Sequence, residues 1–233
     1  MSDFQVPIAP AAELNLRTAS GAISVQAEAR DDLLVTVGVV KDSGDGRIQI
    51  RGKKPGAGKI VIRCPIGTDL SIGTASGRVE LLGSYGRVNV TSASSTITLD
   101  RAEETDLRSA SGAIKVGRCE GRCRVMTKSS RITVGFAGSL DISTVSGRVT
   151  VLGADGPLRV HSVSGRLDIG CLRAVDANVK TMSAPVTLRL PGDVRPDAVL
   201  KAVSGKTSCD CPRGSDCTLE VRTVSGRIEV KPA

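Results

Sequence analysis

The chain has 233 residues and a formal net charge of +8, and its aromatic residues are two Phe and one Tyr, with no Trp. Such a composition excludes a core that depends on large rings, so the interior must be built from Val, Ile, Leu and Ala. The positive charge permits an acidic partner without identifying one. The first residues, "MSDFQVPIAP", lack a signal-peptide pattern. No stretch approaches the roughly 18 apolar residues of a membrane helix. We therefore expect a cytoplasmic protein without a membrane span.

Residues 1–67 have strand-like patterns separated by long turns that are rich in Gly, Lys and Pro. Open ends of repeat folds need a cover, so we interpret this portion as irregular first coils and a cap. Residues 68–233 are regular, and we expect the two portions to form one continuous domain. Ser20 and Ser76 occupy equivalent positions in the pattern, and the length of the gap between them predicts about three repeat steps.

From Ser76 onward the chain repeats a unit centred on Ser-Gly, at steps of about 17–21 residues. The Gly is replaced at Ser95, Ser130 and Ala184. Apolar residues stand two and four positions after the Gly, as in Val149 and Val151, and four positions before the Ser. They alternate with polar residues, which predicts short, half-buried strands on both sides of a turn.

Identical columns at equal spacing favour a parallel β-solenoid, all-β, with coils of about 17–21 residues stacked at about 4.8 Å. A Ser or Thr two positions before the central Ser is expected to bond a neighbouring coil or the turn backbone. The alternative is an antiparallel sandwich or a meander of hairpins. It also gives short alternating strands but does not require matching columns.

The units "TVSGRVTV", "SVSGRLDI" and "TVSGRIEV" resemble the putative-adhesin family of bacterial β-strand-repeat proteins. The resemblance covers most of the chain and is strongest from about residue 68 to residue 231. It implies a single-chain parallel β-helix and supplies no catalytic residues. Many members of that family look extracytoplasmic, so the resemblance also raises the possibility of a surface adhesin if the protein is exported.

The C-terminal stretch "LEVRTVSGRIEVKPA" is a complete repeat in which only three residues, "KPA", come after Val230. An uncovered final coil would invite stacking on another chain. The predicted assembly end consists of Val221, Val224, Ile228 and Val230. Alternatively, Pro232 and nearby charges block this end, or an N-terminal loop covers it.

Cationic residues follow the Ser-Gly turn or its equivalent at seven positions. They are Arg78, Arg87, Arg131, Arg148, Arg166, Lys206 and Arg227. Stacked coils would align several of them into a ladder that follows an acidic polymer, such as nucleic acid or acidic glycan, or anionic lipid. The alternative is a solvated edge whose charges oppose aggregation. Sequence-specific binding of single strands is not expected, because aromatic residues for base stacking are almost absent.

The seven cysteines include one local cluster, "SCDCPRGSDC". A structural zinc site needs four ligands, which this cluster does not supply. We therefore expect buried free thiols and no metal; a disulfide in this loop is the alternative in an oxidising compartment. His161 is the sole histidine, and no carboxylates pair predictably, so neither catalysis nor a cofactor is expected.

These observations predict a non-enzymatic β-solenoid that acts as an elongated scaffold or interaction module. Its expected partner is another protein or a second copy of the chain, with association through the ends. The alternatives are a polyanion-binding module that uses the cation ladder and, if the protein is exported, a surface adhesin.

Overall fold

The computed structural model describes residues 4–7, 13–36, 39–42, 47–51 and 59–233. All regular structure in these ranges is β-strand, without a helix. Accordingly, the described ranges contain no helix that is long and apolar enough to cross a membrane. The chain divides into two compact units, Met1–Arg118 and Cys119–Ala233. The predicted change from an irregular to a regular portion after residue 67 stays a prediction, and part of the expected cap lies outside the described residues.

Unit 1 contains seven short strands and most of a long one. They are β1 (Phe4–Pro7), β2 (Glu13–Thr18), β3 (Ala22–Glu28), β4 (Asp32–Val35), β5 (Val39–Asp42), β6 (Arg47–Arg51), β7 (Lys59–Pro65) and β8 (Asp69–Ser146). Strand β8 spans 78 residues and continues into unit 2. It includes several sequence repeats together with the turns between them, since Gly77, Gly83 and Gly112 within it have φ values of 128°, 96° and 121°.

The repeats of unit 1 do not stack in chain order. Strand β2 pairs in parallel with both β6 and β8, so Leu14 lies between Ile48 and Leu70. Strand β3 likewise lies between β7 and β8. The repeats around Ser20 and Ser76 are therefore direct neighbours. The expectation of three steps between them is wrong, because the intervening chain pairs on the other side of β2 and β3.

Unit 2 contains the end of β8 and nine shorter strands. They are β9 (Arg148–Ala154), β10 (Leu158–Ser164), β11 (Arg166–Cys171), β12 (Ala177–Ser183), β13 (Val186–Leu190), β14 (Pro196–Ala202), β15 (Thr207–Cys209), β16 (Cys217–Thr223) and β17 (Ile228–Pro232). All strand pairs of this unit are parallel among the described residues. For example, β10 lies between β8 and β12. Leu158 of β10 therefore pairs with Leu140 of the preceding repeat and with Ala177 of the following repeat.

The apolar columns predicted from the repeat are confirmed as the core. Val149, Leu167, Val186 and Ile228 occupy one column and are all buried. The column on the other strand, which contains Ile142, Val160, Val179 and Val221, is also buried. Parallel pairing in register places each of these β-branched or Leu side chains against its equivalents in the neighbouring repeats. The small aliphatic interior follows from this repetition, and burial of its apolar surface stabilises the fold.

The last repeat in the sequence is not the last in the sheet. Strand β16 lies between β12 and β14, and β17 lies between β13 and β15. The edge of the sheet in unit 2 is therefore formed by β14 and β15, here called the outer repeat, residues 196–209. The prediction that Val221, Ile228 and Val230 form an exposed end is wrong in position, since all three are completely buried between neighbouring repeats.

Candidate interaction surfaces

The turn at Ser-Gly is held by the hydroxyl column, as the sequence predicted. Thr144 Oγ1 donates a hydrogen bond to the carbonyl oxygen of Ser146 (3.2 Å), and Ser162 Oγ donates to that of Ser164 (2.9 Å). Gly147 and Gly165 follow with φ values of 146° and 124°, which favour residues without a Cβ. Because the hydroxyl points inward and the chain alternates, the residue after the hydroxyl faces outward.

In unit 2 that outward residue is large and apolar in five consecutive repeats. In stacking order, the five residues and their exposed fractions are Val145 (50%), Val163 (42%), Met182 (56%), Val224 (50%) and Val203 (84%). The backbone connects them in this order: Ser225 N–H donates to the carbonyl oxygen of Met182, and Ser204 N–H donates to that of Val224, both at 2.7 Å. We call these five residues the apolar ridge.

The repeat pattern did not reveal this ridge, apart from Val224, which was predicted to belong to the assembly end. The signal was present as the residue immediately before the central Ser. The same position in unit 1 is occupied by exposed alanines, Ala19, Ala75, Ala93 and Ala110. The ridge is therefore a property of the turns of unit 2 and not of the repeat pattern.

A column of cations lies beside the ridge in unit 2, whereas the binding of a polyanion by the ladder stays a prediction. Arg166 pairs in register with Arg148, and the neighbouring residue pairs place Arg131 before them and Arg227 and Lys206 after them. Pro185 interrupts the column between Arg166 and Arg227. The five cations are exposed, and none forms an ion pair with another described residue.

In unit 1 the two predicted ladder residues do not share a column. Arg78 stands in register with Ala22 and forms an ion pair with Glu80 at 3.5 Å. Arg87 lies within β8, where its backbone N–H donates to Asp69 of the preceding repeat and its side chain pairs with Glu104 at 3.7 Å. The placement of Arg87 in the ladder is wrong, because it does not follow a Ser-Gly turn.

A second column of basic residues borders the other side of the ridge. His161, Lys180, Arg222 and Lys201 stand in register on β10, β12, β16 and β14, and all are exposed. Arg222 forms an ion pair with Glu220. The ridge is thus bordered by basic residues on both sides, and neither bordering column contains an acidic residue within unit 2 as described.

The outer repeat presents the second candidate surface. Its inward-facing side chains, Ala198, Leu200 and Ala202, are only half-buried, whereas their equivalents in the next repeat, Leu219, Val221 and Thr223, are buried. Cys209 is exposed although it is in register with buried Val230. Within the part of the chain that the structure describes, β14 and β15 have no strand on their outer side.

In unit 1 the corresponding outer strands are covered. Strand β6 pairs with β5 in antiparallel orientation, and β7 pairs with β4 in the same way. Strand β1 adds to β4. Antiparallel strands cannot extend a parallel stack in register, so they satisfy the backbone of this edge and end the pairing there.

The cysteine side chains are not joined by disulfides, and six of the seven are buried. Burial raises the pKa of the Cys64 thiol to about 11 and that of Cys171 to about 12. Burial also raises the pKa values of Cys211 and Cys217. These thiols stay protonated at neutral pH, which makes them poor nucleophiles and poor metal ligands. The described residues contain no group of three His, Cys, Asp or Glu side chains arranged for a metal ion.

No protein-family model and no curated protein matches this sequence. Among solved structures, the chain is similar to a putative adhesin from Bacteroides fragilis NCTC 9343, with 11% identity and a TM-score of 0.44, over 100% of this chain and 96% of that chain. It is also similar to a putative cell adhesion protein from Clostridium sporogenes ATCC 15579, with 11% identity and a TM-score of 0.23, over 100% and 99% of the two chains. Both are named for adhesion, as is the family that the repeat units resemble. At this distance neither likeness bears on activity, so the function proposed below depends on the geometry of this chain.

Proposed function

We propose that the chain is a non-enzymatic interaction module, a parallel β-solenoid with one sequence repeat per coil, that dimerises through its outer repeat. The observation that supports dimerisation is the difference between β14 and its neighbour β16. The same alternating pattern buries the inward side chains of β16 and leaves those of β14 half-exposed. The difference arises because β14 lacks a partner on its outer side within the described chain.

An open edge of this kind has two sources of binding energy. The outward N–H and C=O groups of β14 and β15 can pair with another strand, as exposed strand edges do. Covering Leu200 and its neighbours would also remove apolar surface from water, at about 25 cal/mol per Å².

A second copy of the chain is the partner that fits this edge best. Within the described chain, the outer repeat offers two unpaired strand edges, those of β14 and β15, which are separated by the turn within one repeat. A partner must supply two strands at the same spacing to cover both, and an identical outer repeat supplies them by symmetry. The described outer strands of unit 1 are already paired with β4 and β5. We therefore propose a closed dimer in which outer repeat contacts outer repeat, in place of an open filament.

The test is the molar mass of the protein by light scattering over a wide range of concentrations. We expect a mass twice that of the 24.1 kDa monomer, with dissociation on dilution. Leu200→Lys places a charge in the proposed contact and should give monomers at every concentration. Val199→Lys is the matched control, because Val199 is the adjacent residue of the same strand and faces the opposite side.

A monomer at all concentrations would overturn the proposed dimer. A dimer that survives Leu200→Lys would also overturn it, since another surface would then hold the copies together. Circular dichroism of both variants verifies that the fold is retained.

A further inference from the structure

We propose that the apolar ridge and its two basic columns form a docking surface for an anionic lipid membrane. The ridge comprises five large apolar side chains at successive turns of unit 2. At the spacing of paired strands, about 4.8 Å, it extends for roughly 19 Å. Exposed apolar side chains normally occur singly, so a continuous row of five indicates an interaction site.

The shape of the ridge favours a flat, deformable partner. Each ridge residue lies at the bend between two strands; Val163, for example, comes immediately before the turn that connects β10 to β11. A side chain at a bend projects outward, so the five together form a convex edge. A folded protein would need a matching groove to contact the whole edge, whereas the interfacial region of a bilayer adapts to it.

The charge of the surroundings selects an anionic membrane. In the repeats that contain the ridge residues, seven Lys and Arg residues border the ridge. They are Arg148, Arg166, Arg227, Lys206, Lys180, Arg222 and Lys201. Two of the acidic residues next to them pair with other cations, Asp168 with Arg189 and Glu229 with Lys231, whereas Glu220 pairs with Arg222 itself. Basic residues close to a membrane surface are each attracted to anionic lipid, and several together strengthen the binding.

The apolar side chains distinguish a lipid surface from a soluble polyanion. A polyanion is bound by cations through the release of counterions and gains nothing from exposed Val or Met beside them. Apolar side chains that enter the acyl boundary, with cations at the headgroups, give the combination typical of interfacial membrane binding. The alanines at the same turn position in unit 1 provide an internal comparison, because that unit lacks the ridge.

Flotation with lipid vesicles tests the proposal. The wild-type chain should bind vesicles of equimolar phosphatidylcholine and phosphatidylserine, and should bind vesicles of phosphatidylcholine alone much more weakly. The triple variant Val145→Ser, Val163→Ser and Met182→Ser should reduce binding to the anionic vesicles at least about tenfold, since each side chain loses part of its transfer free energy. The matched control is Leu152→Ser with Leu172→Ser, two exposed apolar residues of unit 2 outside the ridge, which should bind as wild type.

Charge variants complete the experiment. Arg148→Gln, Arg166→Gln and Lys180→Gln together should weaken binding to anionic vesicles and reduce its dependence on salt. If the triple ridge variant binds these vesicles as tightly as wild type, the surface is an electrostatic polyanion site and the proposal fails. Absence of binding by the wild-type chain to both kinds of vesicle would also overturn it. The mass measurement on the outer repeat is independent of either result.

Discussion

Leu200 and Val221 pair in register on adjacent strands, yet only Val221 is completely buried. Val221 has Val179 on its other side, whereas Leu200 belongs to the outer repeat. The two residues occupy equivalent positions in their repeats. Their burial differs because the final repeat of the sequence lies in the sheet between β12 and β14, so the penultimate repeat forms the edge. The residue that the sequence placed at an end is therefore in the core, and its neighbour is at the edge.

Replacing Val221 with Ala should destabilise the protein more than replacing Leu200 with Ala, although Leu is the larger side chain. Val221→Ala leaves a cavity in a filled column and should lower the free energy of unfolding by about 2 kcal/mol or more. Leu200→Ala removes a larger side chain but should lower it by less than about 1 kcal/mol in the monomer, because Leu200 is only half-buried. Urea denaturation at low protein concentration measures both. Equal losses would contradict the assignment of β14 as the edge.

The turn glycines should be irreplaceable where repeats stack. A Cβ at Gly165 would collide with the carbonyl oxygen of Gly147 in the neighbouring repeat, and the φ of 124° is unfavourable for other residues. We expect Gly165→Ala to destabilise the protein by about 3 kcal/mol or more, as core overpacking and backbone strain do. A Cβ at Gly192 would meet no other atom within 4 Å. Gly192→Ala is therefore the control and should change the melting temperature little. Thermal denaturation compares the two.

The hydroxyl column contains a natural pair for measuring its hydrogen bonds. Thr144 Oγ1 donates to the carbonyl oxygen of Ser146, whereas Thr181 Oγ1 is buried without a partner. Thr144→Val should therefore lower the free energy of unfolding by about 1 kcal/mol. Thr181→Val keeps the shape and removes an unpaired polar group, so it should leave stability unchanged or raise it. A loss at Thr181 as large as that at Thr144 would indicate that its hydroxyl is bonded after all.

Stability should fall at alkaline pH through the buried thiols. Burial raises the folded-state pKa of Cys64 to about 11 and that of Cys171 to about 12, above the value of about 8.5 for an unfolded thiol. Between these values the folded state holds more protons than the unfolded state, so the free energy of unfolding decreases as pH rises. The contribution is fully present below about pH 8.5 and is lost as pH approaches the folded-state values. Burial also raises the pKa of Tyr85, which acts in the same direction.

Melting temperatures from pH 7 to pH 11 measure this effect. Cys171→Ala should melt at a lower temperature than wild type at pH 7 but show a shallower decline above about pH 8.5. Identical slopes for the two proteins would show that Cys171 does not contribute to the alkaline loss.

Cysteine labelling should separate the outer repeat from the core. Cys209 is exposed and the other six thiols are buried, so one thiol of the monomer should react rapidly with a thiol reagent at neutral pH. In the proposed dimer Cys209 lies at the contact, and its reaction should become slower as the protein concentration rises. A rate independent of concentration would be evidence against a dimer formed through this repeat. Cys209→Ser identifies the reacting residue.

Much of the fold could be predicted from alternation and spacing. Val149 and Val151 were assigned to the core because they alternate with polar residues two positions apart, and both are buried. The turn function of Thr144 followed in the same way from its distance to Ser146. These are local properties, since a strand exposes alternate side chains to opposite faces and a turn needs particular residues at fixed offsets.

The functional surfaces were predicted less completely, for two reasons. Arg87 was placed in the ladder by its sequence neighbours, although it does not follow a Ser-Gly turn and its backbone N–H donates to Asp69. The sequence pattern did not single out Val145 and its equivalents, and only the direction and stacking of their side chains show that they form an exposed row. The cations on both sides of the ridge come from different strands, and pairing across repeats brings them together.

The sequence by itself determined the strand content, the inward columns and the bonded turns, because each depends on residues within a single repeat. The tertiary structure alone decided the order in which repeats stack, and with it which repeat is at the edge. Nearly identical repeats can pair with one another in several orders at similar local cost. The choice depends on how the connecting segments, such as residues 210–216, carry the chain across a neighbouring repeat. For this reason Val221 is in the core while Leu200 is at the surface where we propose that two copies meet.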